Sequence, residues 1–295
     1  NGVYPIKLVI FLIVQNYDLR MPILIIGFNR PELIEKRLKE LLNCKNEVIR
    51  VSIDFAGAES SLKHEEILSK FALTSGHANF NYNIESSNLG LTRHVTQAIS
   101  RVLEDFDRII VIEDDIEITA EGLEVLKNGM CEFNKFENFG SICAFSSIPS
   151  NRLTSSFNKF RPTPYFACWG WGTTKEVWRK YSSDISSVSI SESLQTSAIW
   201  NSLNYAQQEV WLGRFKKVSE NPLFTWDLQF QYMQFKHNLL SFVPIFSLSK
   251  NEGFGDTRAT HTKDLQPSWM GGIAPSAGFR VSVLRIRFLN SLLLY

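Results

Sequence analysis

The spacing of apolar and polar residues changes along the chain, and each change marks an element. Ile23 to Ile26, closed by Gly27, is an unbroken apolar run, the pattern of a strand covered on both faces. Pro31 suits the first turn of a helix, and Glu32 to Leu42 carries apolar residues at helical spacing. Val48 to Asp54 reads as a second strand with an acid at its C-terminal end. A helix around Leu62 to Phe71, an alternating strand from Asn79 to Glu85 and a helix from Leu91 to Leu103 follow. Ile109 to Ile112 is the fourth strand, and it runs straight into Glu113-Asp114-Asp115. Strand and helix thus alternate through residue 115, which predicts right-handed βαβ units and a parallel sheet.

The second half loses this rhythm. Gly122 to Phe136 reads as a helix and Ser141 to Phe145 as a strand, followed by a polar loop over residues 146–164. Helical patterns recur at Glu192 to Leu203, Gln207 to Val218 and Asp227 to Lys236, and Leu240 to Ile245 reads as a strand. Val281 to Leu294 is apolar with two arginines and fits either a helix or a strand. Ile6 to Val14 is apolar apart from Lys7 but too short to span a bilayer. With the first methionine at Met21, residues 1–20 are expected to be an extension outside the fold, a membrane-surface anchor being the other reading. The expected organisation is one domain over 21–265, with halves of about 21–117 and 118–265, and a tail over 266–295.

Composition narrows the function classes. A net charge of +1 over 295 residues gives no bulk field favouring nucleic acid or an anionic membrane. Four widely spaced cysteines without a Cys-x-x-Cys pair point to free thiols in a reducing compartment, hence the cytoplasm. All seven tryptophans lie in the second half, which fits a sugar-binding wall or a plain core.

The chemistry concentrates at the end of the fourth strand. Three adjacent carboxylates repel unless positive charge sits among them, and ligands bind at the carboxyl ends of strands in open α/β sheets. Mn²⁺ or Mg²⁺ takes such hard oxygen ligands and leaves positions open for phosphate oxygens. A solvated acidic turn is the alternative for the triplet alone.

The company of the triplet is more specific. Pro22-Ile-Leu-Ile-Ile-Gly-Phe-Asn-Arg-Pro31, Ser52-Ile-Asp54, Asn88-Leu-Gly-Leu-Thr-Arg-His94, Ile112-Glu-Asp-Asp115, Trp169-Gly-Trp171, Thr225-Trp-Asp227, and Gly253-Phe-Gly255 with Ala259-Thr-His-Thr262 occur in that order. This series resembles the GT-A glycosyltransferases, nearest to the N-acetylglucosaminyltransferase I-like group and bacterial family 2-like sugar transferases. The resemblance spans residues 22 to 262. It implies a mostly parallel central sheet with helices on both faces. It also implies a metal-dependent, inverting transfer from a nucleotide-diphosphate sugar, on the pattern of a UDP-sugar, to a glycan or lipid-linked saccharide.

Roles carry over residue by residue as implications of that resemblance. Asn29 and Arg30 would meet the nucleotide or its diphosphate, Asp54 the uridine part, and His94, with Arg93 beside it, the base. Asp115 would ligate the metal, with Glu113 and Asp114 on sugar or ribose hydroxyls. Trp169-Gly-Trp171, with Trp171 foremost, would wall the acceptor and donor-sugar site, Asp227 would act as general base, Arg258 would reach the phosphates, and His261 would be a further metal ligand. A loop Asp, a helix N-cap for Asp227 and core roles for the tryptophans are the plainer readings of the same residues. The absence of a convincing anchor and of disulfides favours the bacterial branch, acting on surface polysaccharide with at most peripheral membrane contact. A sugar-nucleotide nucleotidyltransferase is the alternative enzyme, although Gly27-Phe-Asn-Arg30 is a poor phosphate loop. A GT-A-like domain that only binds sugar is the third reading.

Overall fold

The computed structural model describes residues 21–42, 44, 47–147, 160–185 and 189–258. The expectations for residues 1–20, His261 and Val281 to Leu294 lie outside the described residues.

The first half folds as its periodicity predicts. β1 (Ile23–Gly27), α1 (Pro31–Leu41), β2 (Ile49–Ile53), α2 (Ala58–Thr74), β3 (Phe80–Ile84), α3 (Leu91–Asp105) and β4 (Arg108–Glu113) alternate strictly. These four strands pair in parallel in the order β3-β2-β1-β4. Every residue of β1 is buried, as are Ile109 to Ile112 of β4, so both faces of the sheet are covered there.

The second half adds β5 (Ile116–Ile118), α4 (Ala120–Phe133), β6 (Phe139–Cys143), β7 (Phe160–Thr163), β8 (Trp171–Thr174) and the short α5 (Lys175–Trp178). After these come α6 (Ile190–Leu194), α7 (Ala198–Ser202), α8 (Tyr205–Glu220), α9 (Asp227–Lys236), β9 (Leu240–Pro244) and β10 (Ser249–Asn251). The main sheet has eight strands in the order β3-β2-β1-β4-β8-β6-β9-β7. β8 runs antiparallel to β4 and β6, and β7 antiparallel to β9; the rest are parallel. This is the mostly parallel, helix-flanked α/β sheet that the GT-A resemblance implies. No helix among the described residues is long and apolar enough to cross a membrane.

Several elements differ from the sequence reading. β8 was not expected as a strand, because Trp-Gly-Thr-Thr shows no alternation. Gly172 makes it possible: a Cβ there would meet Ile110 Cδ1 at 2.7 Å and the Ile109 carbonyl at 2.8 Å. β7, inside the expected 146–164 loop, carries Pro162 and lies at the sheet edge, where a missing amide is tolerated. β5 and β10 form a separate two-stranded antiparallel ribbon. The helix expected over Glu192 to Leu203 is two short ones, since Ser197 interrupts it: its Oγ accepts from Trp200 N and donates to the Phe235 carbonyl at 2.6 Å.

Trp171 requires a correction as well. It sits on β8 with no exposed surface and stacks on Trp226 at 5.3 Å, so it belongs to the core rather than to a sugar-binding wall. Two aromatic groups fill the second half. One joins Trp171, Trp178, Phe166, Trp226 and Phe230 beneath the sheet. The other joins Phe215, Trp200, Tyr232 and Phe235 between α7, α8 and α9.

Candidate functional site

The carboxyl ends of β1, β2 and β4 are locked in step. Asp54 N donates to the Gly27 carbonyl at 3.0 Å, and Asp114 N to the Ile26 carbonyl at 2.9 Å. The loops that leave these ends border one cavity of about 740 Å³. Asn29, Arg30, Asp54, His94, Glu113, Asp114, Asp115, Asp227 and Arg258 all line it. Nine expected site residues, spread from position 29 to 258, therefore share one cleft. Arg93 is an exception: it is exposed on α3 and is not among the residues that line the cavity. Trp169, two residues before the buried Trp171, faces the cavity instead and packs edge-on against Phe254 at 5.7 Å.

The acids divide by their partners. Arg30 grips Asp114 through Nε at 3.3 Å and again through Nη2, and the same Nη2 reaches Asp115 Oδ2 at 3.1 Å. The Asp114 side chain is only 3% exposed. Burial pushes its carboxyl up to about 6, against the pull of Arg30. Among the described residues Glu113 makes no such ion pair, although Arg30 attracts it at longer range. Burial, reinforced by Asp115, Asp114 and Asp227, drives its carboxyl well above the usual range. Glu113, Asp114 and Asp115 thus crowd the end of β4, with the Arg30 guanidinium held between the two aspartates.

Asp227 reaches the cleft from the other half. It is the first residue of α9, whose N-cap is Trp226, and no side chain caps that end. The helix-cap reading of Asp227 therefore fails. Its carboxylate accepts a hydrogen bond from Thr225 Oγ1, which fixes its direction. Cys168 and Tyr181 border the same corner. Burial, with Asp227 nearby, raises both the Cys168 thiol and the Tyr181 phenol, so neither is a ready nucleophile.

Asp54 and His94 are placed by the turn between β3 and α3. The Asp54 carboxylate accepts backbone amides from Phe55 at 2.9 Å, Leu89 at 2.8 Å and Gly90 at 2.9 Å, strapping that turn to β2. Gly90 has φ of 77°, which glycine adopts without strain. His94, in the first turn of α3, is buried with Nε2 2.9 Å from Ser52 Oγ. Burial lowers its pKa despite the charge of Asp54, so it stands as a neutral ring in the cleft wall.

The far rim is built by the β5–β10 ribbon. Glu252 N donates to the Asp115 carbonyl at 2.7 Å, while its carboxylate takes Lys36 Nζ at 2.6 Å and Arg37 Nη2 at 2.8 Å on α1. Arg258 is exposed at the mouth and pairs with Glu32 and Asp256 at 2.6 and 2.9 Å. Thr225, Asn251, Phe254, Phe224 and Arg214 also line the cavity. Thr225 and Phe254 belong to motifs noted in the sequence but were assigned no role there, and Asn251, Phe224 and Arg214 carry no sequence signal, so only the shared cavity reveals them.

The oxygen chemistry of the cleft suits Mg²⁺ or Mn²⁺, whose coordination one or two carboxylates open and phosphate oxygens complete. The excess of acids over the single embedded Arg30 is the charge such an ion would balance. Among the described residues, however, no three Asp, Glu, His or Cys side chains form a ready-made cation cage.

No family model and no curated protein matches the chain. Solved structures of similar fold include a mannosyltransferase of Pyrobaculum calidifontis in complex with GDP-Man and Mn²⁺, at 11% identity and TM-score 0.43, covering 77% of this chain and 76% of that one. A UDP-glucose pyrophosphorylase complexed with UDP-glucose overlaps at 9% identity and TM-score 0.39, covering 78% and 91%. The glycosyltransferase GlyE of Streptococcus pneumoniae TIGR4 overlaps at 13% identity and TM-score 0.37, covering 75% and 45%. Overlap of this extent carries no information about what this chain binds.

Proposed function

We propose that the protein is a glycosyltransferase that takes a nucleotide-diphosphate sugar, a UDP-sugar on the pattern of its motifs, and passes the sugar to a hydroxyl of a glycan or lipid-linked saccharide. The observation that carries this reading is the placement of Asp227. It shares one cavity with the acids at the end of β4, is not used as a helix cap, and is aimed by Thr225.

In this reading the base of the donor lies toward His94 and the Asp54-strapped turn, and Arg30 meets the diphosphate. A divalent ion held by Asp115 would supply positive charge to the leaving diphosphate. Asp227 accepts the proton of the acceptor hydroxyl as that oxygen bonds to the sugar C1. The bond from C1 to the diphosphate oxygen breaks, and its electron pair leaves with the nucleotide. A base on the face opposite the leaving group inverts the configuration at C1. Asn29 sits beside Arg30 for the nucleotide, Glu113 and Asp114 take sugar or ribose hydroxyls, and Arg258 lies at the mouth to meet phosphate.

The test is incubation with a panel of UDP-sugars and Mn²⁺, following nucleotide release. Slow hydrolysis of one donor, abolished by chelation and in Asp115→Ala, is expected. If no nucleotide sugar is turned over or protects the protein against unfolding, the reading is wrong. Release of pyrophosphate from UTP plus a sugar 1-phosphate would instead establish a nucleotidyltransferase.

A further inference from the structure

Three arginines line the cleft: Arg30, Arg214 and Arg258. Arg30 is held by Asp114 and Asp115, and Arg258 by Glu32 and Asp256. Arg214 differs. It is exposed on α8 and has no carboxylate partner among the described residues. Its guanidinium lies 4.7 Å from the ring centroid of Trp211, one helical turn earlier. Tyr165 stacks on the same indole at 6.0 Å and 17°. The stack fixes the direction of the cation without consuming its hydrogen-bond donors.

The position of α8 says which part of the cleft this cation serves. Trp211 and Phe215 pack edge-on against Phe235 and Tyr232 of α9, at 5.6 and 5.4 Å. α9 begins with Asp227, and the connecting segment contributes Phe224, Thr225 and Trp226 to the cavity. Arg214 is therefore carried by the α8–α9 pair, the half that also supplies Asp227, whereas Arg30 follows β1 and pairs with the acids after β4. Asp54, Glu113, Asp114, Asp115 and Asp227 line the same cleft, so an acceptor bearing negative charge would need a cation set aside for it.

We propose that Arg214 is the acceptor-specificity residue and that it selects an acceptor carrying an oxyanion, a carboxylate or a phosphate, near the attacking hydroxyl. The planar guanidinium offers parallel N–H donors that match either group. This inference rests on the transferase reading for its catalytic meaning, but the binding site itself does not depend on turnover.

The probes are methyl glucoside, methyl glucuronide and methyl glucoside 6-phosphate, which share a ring and differ in charge. Binding to the wild-type protein is measured by calorimetry without donor, and transfer with donor. A preference of tenfold or more for one charged probe over the neutral one is expected, weakening as salt rises. Arg214→Gln removes that preference, raising KM for the charged acceptor without a matching fall in kcat, while Arg214→Lys restores part of it. Which charged probe binds identifies carboxylate or phosphate. If the wild-type protein binds all three alike, or Arg214→Gln keeps the preference, the inference is overturned. Charge-selective binding without turnover of any donor would overturn the transferase reading and leave the oxyanion site standing.

Discussion

Replacing Arg30 by Gln should destabilise the protein by an amount that depends on pH. In the unfolded chain Asp114 titrates near 3.8, and in the folded protein at about 6. A raised folded pKa contributes stability that is full below 3.8 and lost as pH rises through 6. At about 1.4 kcal/mol per unit, ionised Asp114 already costs the folded state about 3 kcal/mol at pH 8. Removing Arg30 deletes the attraction that holds the cost to this level, and cutting one partner from a buried pair costs about 3–5 kcal/mol. Below pH 6 the carboxyl can take a proton instead, and the loss shrinks to the hydrogen bonds, about 1 kcal/mol. For a domain of this size those figures correspond to a fall in Tm of about 6–20 °C at pH 8 and about 2–4 °C at pH 5. Thermal unfolding of chelated protein, wild type against Arg30→Gln, measures both. The double variant Arg30→Gln/Asp114→Asn should recover most of the loss at pH 8. Equal losses at the two pH values, or no recovery in the double variant, would show that the charge of Asp114 is not what Arg30 balances.

Other outcomes follow from the same geometry. Asp227→Asn should lower transfer by about 10²–10⁴-fold and leave the donor Kd nearly unchanged, as read by calorimetry with the nucleotide sugar; a collapse of donor binding would make Asp227 structural. Gly172→Ala should destabilise by about 1–3 kcal/mol in urea unfolding, because its methyl would press on the Ile109 carbonyl and Ile110. Burial raises Glu40 to about 7 despite Arg37, so its ionised form weakens the fold above pH 7. Glu40→Gln should accordingly raise Tm at pH 8.5 and leave it nearly unchanged at pH 5.

The first half was readable because its strands are short apolar runs separated by helices of clear period. A buried parallel strand such as β4 needs no partner-specific code beyond being apolar on both faces. The second half hid its strands for physical reasons. β8 relies on a glycine fitting against Ile110, which only the neighbouring strand reveals. Trp171 and Trp169 differ by two positions and look alike in sequence, yet one is core and one faces the cleft. The acids and Asp227 were found through an ordered series of motifs, and the structure gathers them into one cavity. What the series lacked was the set of partners, namely Arg30 on the acids, Thr225 on Asp227 and three backbone amides on Asp54.

The insertion of β8 beside β4 has a consequence for how the protein is made. β4 leaves the ribosome about sixty residues ahead of the strand that covers its open edge. Through that interval Ile109 to Ile112 present unpaired backbone, the condition under which chains pair with the wrong neighbour. The triplet at the strand's end then serves a second purpose, since charge abutting an apolar edge discourages such pairing. Neutralising these acids to probe the chemistry would therefore also lower the yield of soluble protein, through the nascent chain rather than the finished site.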